Sequence, residues 1–227
     1  MISLDYSLYL VLDPELARGR PLTEVAREAI EGGVSMLQLR YKGAKAREFL
    51  ELAQRIKEVS AECRIPLIIN DRLDIALAAG ADGVHLGQED LPSQEARRIL
   101  GSQMILGVSA GCLQEAQEAE NAGASYIGLG SIFPTSSKPD AGRPIGAGVI
   151  AEVTQVVRIP VVAIGGIQVD NAEEVIQKGA SGVAVISAIL QAKDSKRAAQ
   201  QLKMVIERAR ARRISAEGKQ FPGQEEV

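Results

Sequence analysis

The amino-acid sequence predicts a single-domain α/β protein with the (β/α)8 architecture of a TIM barrel. Three observations lead to this prediction. Short aliphatic or β-branched runs alternate eight times with longer amphipathic segments in a chain of 227 residues. The strand interiors are apolar on both faces, as in a parallel sheet that is covered by helices. A glycine-centred phrase also recurs along the chain, as expected when one structural unit is repeated.

Each predicted strand is a short apolar run bounded by glycine, proline or polar residues. The eight strands are predicted at residues 7–12, 35–40, 66–70, 83–87, 104–109, 126–130, 160–166 and 182–187. The clearest of the segments between them, FLELAQRIKEVSAE at 49–62, places apolar residues at helical spacing. Residues 195–213 predict a long closing helix. Because the chain has no Trp and little Phe or Tyr, we expect an aliphatic core.

The repeated phrase marks the point where a helix ends and a strand begins. AGADGV at 79–84 returns as AGASYI at 122–127 and as KGASGV at 178–183. In each, a glycine can adopt the left-handed conformation that ends a helix. The rival architecture, a doubly wound open sheet, would require a glycine-rich turn after its first strand, and VLDPELARG has none. The pattern therefore favours the barrel.

The barrel is predicted to occupy residues 1–213 as one domain. Residues 214–227 are polar and contain a Pro–Gly pair, which predicts a disordered tail. The basic run at 208–213 is interpreted as a solvated helix face.

Composition excludes several classes of function. A net charge of −3 leaves no basic face for nucleic acid, and no segment is apolar for long enough to span a membrane. Cys63 and Cys112 follow no metal spacing and are interpreted as reduced thiols. The apolar run near the amino terminus fits a strand better than a signal peptide. We therefore expect a cytoplasmic protein that binds small molecules; assembly into a homo-oligomer stays open.

The loops that follow the strands of such a barrel carry its chemistry. After the second strand, QLRYK places Gln38, Arg40 and Lys42 at alternating positions, so that the three side chains point to one face. The two cations repel each other unless an anion lies between them. They indicate an anion site, and the alternative is a pair of ordinary rim charges.

Two carboxylates follow the third and fourth strands. Asn70 and Asp71 begin the polar stretch after an apolar strand, and Asp90 follows the neighbouring strand. Carboxylates next to a bound phosphate are typical Mg²⁺ ligands. The alternative is that Asp71 and Asp90 cap the helices that follow them. Both interpretations stay open from the residues alone.

A phosphate site is predicted after the seventh and eighth strands. Gly165 and Gly166 allow a ligand to approach the backbone, and Ser187 ends the last strand. These two loops form the usual phosphate site of a TIM barrel. Ser109 ends the fifth strand on the same rim.

The segment SIFPTSSKPDAGRPIGAG, 131–148, follows the sixth strand and has no periodic structure. A loop of this length is usually functional or disordered. Its hydroxyl side chains at Thr135, Ser136 and Ser137 can donate to the phosphate of the neighbouring loops, and Lys138 can reach the other anion. We interpret it as a lid between two phosphates; the alternative is a disordered insertion.

Seven motifs, taken in order, resemble those of the thiamine phosphate synthase family. They are QLRYK, NDR, GVHLGQEDLP, GVSAG, FPTSSKPDAG, AIGGI and VISAI, and the resemblance covers about residues 6–190. It implies a Mg²⁺-dependent transferase that joins 4-amino-2-methyl-5-(diphosphooxymethyl)pyrimidine to 4-methyl-5-(2-phosphoethyl)thiazole. The products are thiamine phosphate and pyrophosphate, with CO2 as a third product when the thiazole is carboxylated.

The resemblance also implies roles for individual residues. The pyrimidine diphosphate would be bound by Gln38, Arg40, Lys42, Asn70, Ser109 and Lys138, of which Arg40, Ser109 and Lys138 would be catalytic. The thiazole phosphate would be bound by Thr135, Ser136, Ser137, Gly166, Ile186 and Ser187. Mg²⁺ would be held by Asp71 and Asp90.

Two other functions fit parts of the sequence: a thiazole tautomerase-like isomerase and a non-catalytic regulator that binds thiamine phosphate. After GVSA, many members of the family have His where this chain has Gly111, which argues against the tautomerase. The second anion site also favours the transferase. His85 is either a hydrogen-bonded strand residue or an active-site contact.

Overall fold

The computed structural model describes residues 4–137 and 142–219. Its eight strands pair in parallel, in chain order, to form a closed barrel. The strands are β1 (Leu8–Leu12), β2 (Met36–Leu39), β3 (Leu67–Asn70), β4 (Gly83–Leu86), β5 (Ile105–Ala110), β6 (Tyr126–Leu129), β7 (Val161–Ile164) and β8 (Gly182–Val185). All lie inside the predicted runs except β5, which extends one residue further.

At least one helix follows every strand, so the (β/α)8 prediction is confirmed. The helices are α1 (Leu22–Glu31), α2 (Ala46–Glu62), α3 (Leu73–Ala78), α4 (Ser93–Leu100), α5 (Leu113–Asn121), α6 (Gly148–Thr154), α7 (Ala172–Gln177), α8 (Ser187–Leu190) and α9 (Ser195–Lys219). Within the described residues, no helix combines the length and the apolar character needed to cross a bilayer.

The barrel closes where β1 pairs with β8. Leu8 lies opposite Val183 in this pairing. The approach is so close that a Cβ atom on Gly182 would lie 1.7 Å from the carbonyl oxygen of Tyr6. Because all strands are parallel, their carboxyl ends meet at one rim, where the predicted site residues collect.

Two separate clusters of buried side chains form the core. The larger is dominated by aliphatic side chains from the strands and the helices around them, as expected. The smaller contains side chains from seven of the eight strands, which can meet only inside the barrel: Tyr6, Tyr9, Met36, Ile68, Ile105, Tyr126, Val162 and Ala184. The expectation of an aliphatic core is wrong there, because three of the four tyrosines are in this cluster.

The carboxyl-terminal half of α9 is docked against the barrel. Arg210 donates to the carbonyl oxygen of Ser181, and Arg213 donates to those of Ile176 and Ala180 at 2.9 and 3.3 Å. The basic run is therefore not a fully solvated face. Helix α9 also continues to Lys219, six residues past the predicted boundary at 213. Residues 220–227 of the predicted tail lie outside the described residues.

Candidate active site

A cavity of about 470 Å³ opens at the carboxyl ends of the strands. Twelve of the predicted site residues line it: Gln38, Arg40, Lys42, Asn70, Asp71, Asp90, Ser109, Thr135, Ser137, Gly166, Ile186 and Ser187. Ser136 is not among the residues that line the cavity, and Lys138 lies outside the described residues. One cavity therefore contains most of the residues that the sequence assigned to two anion sites.

The cations at one end of the cavity are each held by a carboxylate. Arg40 donates to Asp13 at 2.5 Å, and both side chains are almost fully buried. Lys42 Nζ lies 2.6 Å from Asp71 Oδ2, and this hydrogen bond raises the pKa of Lys42. The sequence reasoning missed Asp13. A signal for Asp13 was present, since Asp13 is the first polar residue after the buried strand β1. The same signal identified Asn70.

Asp71 and Asp90 come together as a pair of carboxylates. Asp71 has a positive φ of 62°, a conformation that is uncommon for residues other than glycine, and its N–H donates to the carbonyl oxygen of His85 at 2.8 Å. The pKa of Asp90 is raised, first by burial and then by the neighbouring carboxyl of Asp71. The repulsion between these two side chains makes the position favourable for a cation.

The helix-capping interpretation of these two residues is wrong for α3 and α4. The residues at the cap positions are Arg72 and Pro92, and neither helix has a side-chain cap. Asp90 instead accepts a hydrogen bond from the N–H of Gly87 at 2.7 Å, within its own turn. Both carboxylates therefore serve the loop and the cavity rather than a helix.

The other end of the cavity is formed by hydroxyl groups and glycines. Ser137 Oγ donates to Ser187 Oγ at 3.0 Å, which joins the loop after β6 to the start of α8. Gly166 has a φ of 63°, and a Cβ atom on it would lie 2.4 Å from the carbonyl oxygen of Pro134. Glycine is therefore required here by the packing of two loops, in addition to any ligand. The arrangement presents small polar donors suited to a phosphate.

Hydrogen-bonded side chains connect the floor of the cavity to the barrel interior. Gln38 donates to Tyr9 at 2.8 Å, and Tyr9 contacts Tyr126 at 2.9 Å. His85 contacts Tyr126 through Nδ1 and Ser109 through Nε2, both at 2.9 Å. His85 is thus both a hydrogen-bonded strand residue and a lining residue. No local pattern marks the two tyrosines as site residues, because only barrel closure brings β1 and β6 side chains together.

Comparison with known proteins identifies the family. The family model for thiamine monophosphate synthase matches residues 8–189. The thiamine-phosphate synthase of Moorella thermoacetica is 51% identical over 207 residues, which cover 91% of this chain and 99% of the relative. That of Syntrophomonas wolfei is 49% identical over 208 residues, covering 92% and 100% of the two chains.

Solved structures agree with this comparison. The thiamine phosphate pyrophosphorylase from Pyrococcus furiosus has a TM-score of 0.83 and 42% identity, covering 91% of this chain and 98% of that one. A geranylgeranylglyceryl phosphate synthase from Thermoplasma acidophilum has a TM-score of 0.68 at 18% identity, a likeness of fold alone. The fold, the lining of the cavity and the identities along nearly the whole chain lead to one conclusion: the chain belongs to the thiamine monophosphate synthase family.

Proposed function

We propose that this protein condenses 4-amino-2-methyl-5-(diphosphooxymethyl)pyrimidine with 4-methyl-5-(2-phosphoethyl)thiazole to form thiamine phosphate and pyrophosphate. A carboxylated thiazole would release CO2 in addition. The observation that carries the proposal is that one cavity has two different polar ends. One end has paired cations and carboxylates, and the other has hydroxyl groups and glycine backbone. Two phosphorylated substrates can bind there with their rings between the two ends.

The cationic end would bind the diphosphate. Arg40 and Lys42 would contact its oxygens, with Asn70 beside them and Lys138 contributing from the loop after β6. Arg40 is suited to this role because its guanidinium is held in place by Asp13. Gln38 and Ser109, deeper in the cavity, would contact the pyrimidine ring.

The hydroxyl end would bind the thiazole phosphate. Ser187 and Ser137 already share a hydrogen bond and can redirect their hydrogens to phosphate oxygens. Thr135 accepts from the N–H of Ser137 at 3.2 Å, which shapes the loop. We assign Ser136, Gly166 and Ile186 to the same subsite, where backbone N–H groups would complete it.

Asp71 and Asp90 would hold Mg²⁺. Both offer only oxygen ligands, and the pKa of Asp90 is raised by burial and then by the neighbouring Asp71 carboxyl, whose repulsion a cation would relieve. Mg²⁺ is usually held by one or two carboxylates together with substrate phosphate oxygens, so this pair fits it. When bound, Mg²⁺ would neutralise charge on the departing diphosphate.

The residues of the chain would act mainly by charge and position. As the bond between the pyrimidine methylene carbon and the diphosphate oxygen breaks, the negative charge that grows on the leaving group would be balanced by Arg40, Lys42 and Lys138. The electron pair leaves with pyrophosphate. The thiazole nitrogen then donates its lone pair to the methylene carbon, so the nucleophile needs no general base.

Two alternatives remain: a tautomerase-like isomerase and a non-catalytic regulator. Pyrophosphate release distinguishes them, measured with both substrates and with each substrate alone. We expect release that requires both substrates. Isomerisation of the thiazole phosphate alone would favour the isomerase. Binding of both ligands without release of pyrophosphate would favour the non-catalytic regulator.

The Mg²⁺ assignment has a separate test. Asp71→Asn and Asp90→Asn should each raise the Mg²⁺ concentration needed for half-maximal release, because an anionic ligand is lost. Asp74→Asn is the matched control, since Asp74 is exposed and pairs with Arg72. Calorimetry should detect unchanged binding of thiazole phosphate in all three variants. An unaltered Mg²⁺ requirement in both cavity variants would show that Asp71 and Asp90 do not hold the metal.

A further inference from the structure

The turn that follows β7, residues 165–168, has two of its carbonyl groups fixed by hydrogen bonds. The carbonyl oxygen of Gly165 accepts from the N–H of Phe133 at 3.0 Å. The carbonyl oxygen of Gly166 accepts from the side-chain amide of Asn171, whose Nδ2 lies 3.0 Å away. Gly165 and Gly166 have φ values of 101° and 63°, and glycine adopts either hand of backbone with little strain. Contacts, rather than local sterics, therefore decide how these two peptides are oriented.

The direction of each carbonyl sets the direction of the N–H that follows it. In a planar trans peptide, the C=O and the N–H of the next residue point in opposite directions. The bond from Phe133 therefore fixes the N–H of Gly166, and the bond from Asn171 fixes the N–H of Ile167. Within residues 4–137 and 142–219, neither of these N–H groups donates to a protein acceptor, and both residues line the cavity. Two successive donors are thus available to an anion.

Asn171 applies both ends of its side-chain amide to this turn. Its Oδ1 accepts from the N–H of Gln168 at 2.8 Å, while its Nδ2 donates to the carbonyl of Gly166. A flipped amide would place oxygen against oxygen and N–H against N–H, so the hydrogen-bond network favours one orientation. In the part of the chain that the structure describes, the Gly166 carbonyl has no second donor. A single side chain therefore controls the direction of the Ile167 N–H.

We propose that Asn171 is a positioning residue for the thiazole phosphate, an inference that rests on the proposed function. It holds the Gly166 carbonyl oxygen away from the phosphate and presents the Ile167 N–H to it. Successive backbone N–H groups stabilise a bound anion, whereas a carbonyl oxygen at the same place would repel it. Asn171 is not among the residues that line the cavity, so it acts through the backbone.

Asn171→Ala, which removes both hydrogen bonds to the turn, is the first test. Calorimetry should show about a tenfold weaker affinity for thiazole phosphate, as for the loss of one charge-assisted hydrogen bond. Affinity for the pyrimidine diphosphate should be unchanged, because that substrate is assigned to the other end of the cavity. In pyrophosphate release, the KM for thiazole phosphate should rise while kcat changes little, since this phosphate is remote from the bond that breaks.

Asn171→Asp separates the two hydrogen bonds. Its carboxylate can still accept from the Gln168 N–H and cannot donate to the Gly166 carbonyl. Thiazole phosphate should bind this variant at least as weakly as it binds Asn171→Ala. Phosphorus NMR at saturating thiazole phosphate adds a readout that a loss of stability alone would not move, and the resonance of the bound phosphate should shift in both variants.

Gln177→Ala is the matched control, because it also removes a side-chain amide hydrogen bond from α7. Gln177 donates to Glu173 at 2.9 Å on the exposed side of the helix. This variant should keep both affinities and the phosphorus resonance of the unmodified protein.

Three results would overturn the positioning role while pyrophosphate release by the unmodified protein upholds the proposed function. They are equal weakening of both substrates in Asn171→Ala, retained thiazole phosphate affinity in Asn171→Asp, and an unshifted phosphorus resonance in both variants. If the unmodified protein neither binds thiazole phosphate nor releases pyrophosphate, the proposed function and the positioning role fall together.

Discussion

The Arg40–Asp13 ion pair is the most deeply buried charge pair among those described at the cavity. Removing one partner of such a pair leaves the other buried charge without that counterion, at a cost of about 3–5 kcal/mol. Asp13→Ala should therefore lower the melting temperature by about 6–20 °C in a chain of this size. Thermal melts of Asp13→Ala, Arg40→Ala and the double variant provide the check.

The double variant decides what that loss means. It should be more stable than the sum of the two single losses predicts, because neither charge is left unpaired. Strict additivity would contradict the assignment of Arg40 and Asp13 as a coupled pair.

Asp90 gives a pH dependence of defined sign. Its pKa in the folded protein is raised above the usual 3.8. The folded state then binds the proton more tightly than the unfolded chain, so stability falls as the pH rises through the window between 3.8 and the raised value. At neutral pH the ionised group is destabilising, and Asp90→Asn should raise the melting temperature without Mg²⁺, by no more than about 2 °C.

That gain should disappear as the pH is lowered below 3.8, because protonation of Asp90 removes the cost of burying its charge and its repulsion from Asp71. The comparison variant is Asp74→Asn. The pKa of Asp74 is lowered by its hydrogen bond to Arg72, so its loss should slightly destabilise the protein at neutral pH. Melting curves from pH 3 to pH 8 would contradict the sign if Asp90→Asn were less stable at neutral pH.

What the sequence could predict at this scale depends on the range of the interactions. Polar residues directly after apolar strands were found because strand ends are visible locally, as with Asn70 and Asp71. The capping alternative for Asp90 stayed open from the sequence because its observed partner, the N–H of Gly87, depends on the exact turn. Tyr9 and Tyr126 are 117 positions apart in the chain and meet only when the barrel forms, so no local pattern marks them.

Among the strands, β5 and β6 carry glycines that make room for the side chains of Tyr126 and His85. A Cβ atom on Gly107 would lie 2.2 Å from the ring of Tyr126 and 2.5 Å from Nδ1 of His85. Because these neighbours are buried, they cannot move aside easily. Gly107→Ala should cost about 1–3 kcal/mol of stability by overpacking the barrel interior.

Urea denaturation is the measurement, with two comparison variants. Gly128→Ala should cost less stability, since a Cβ atom on Gly128 would lie 2.8 Å from its nearest neighbour, the edge of the His85 ring. Gly148 begins α6 with open space around it, so Gly148→Ala should stabilise by about 0.4–1 kcal/mol. A Gly107→Ala variant as stable as the unmodified protein would contradict the packing of the interior.

Element positions were predicted more accurately than the composition of the interior. All eight strands were located because parallel strands are apolar on both faces and flanked by glycine or proline, as in PVVAIGG before α7. The aromatic interior was not predicted, since a tyrosine in an apolar run such as SLYLVL has the same pattern whether it points inward or outward.

For the whole molecule, α9 is the helix that fastens the carboxyl terminus to the barrel. Its residues up to Arg213 contact the barrel backbone, whereas residues 214–216 are exposed. We propose that the folded domain ends near 213. Truncation after Arg213 should move the melting temperature by less than about 2 °C. Truncation after Glu207 also removes Arg210 and Arg213 and should lower it far more.

Both truncated chains can be compared by calorimetry with the full-length protein. Equal melting temperatures for the two would contradict the role assigned to the arginine contacts. A large loss after truncation at Arg213 would place the domain boundary further along α9.

The pairing of Leu8 with Val183 has a consequence for synthesis on the ribosome. Chains grow at about 5–20 residues per second, so β1 waits about 10–35 s for its second neighbour. Throughout that interval, β1 presents an unpaired apolar edge, the kind of surface that recruits other chains. Nascent chains arrested before Gly182 should therefore be cleaved readily by protease. Emergence of β8 from the ribosome should end that sensitivity. The first strand to emerge is thus the last to be fully paired, and chaperone contacts should concentrate on it.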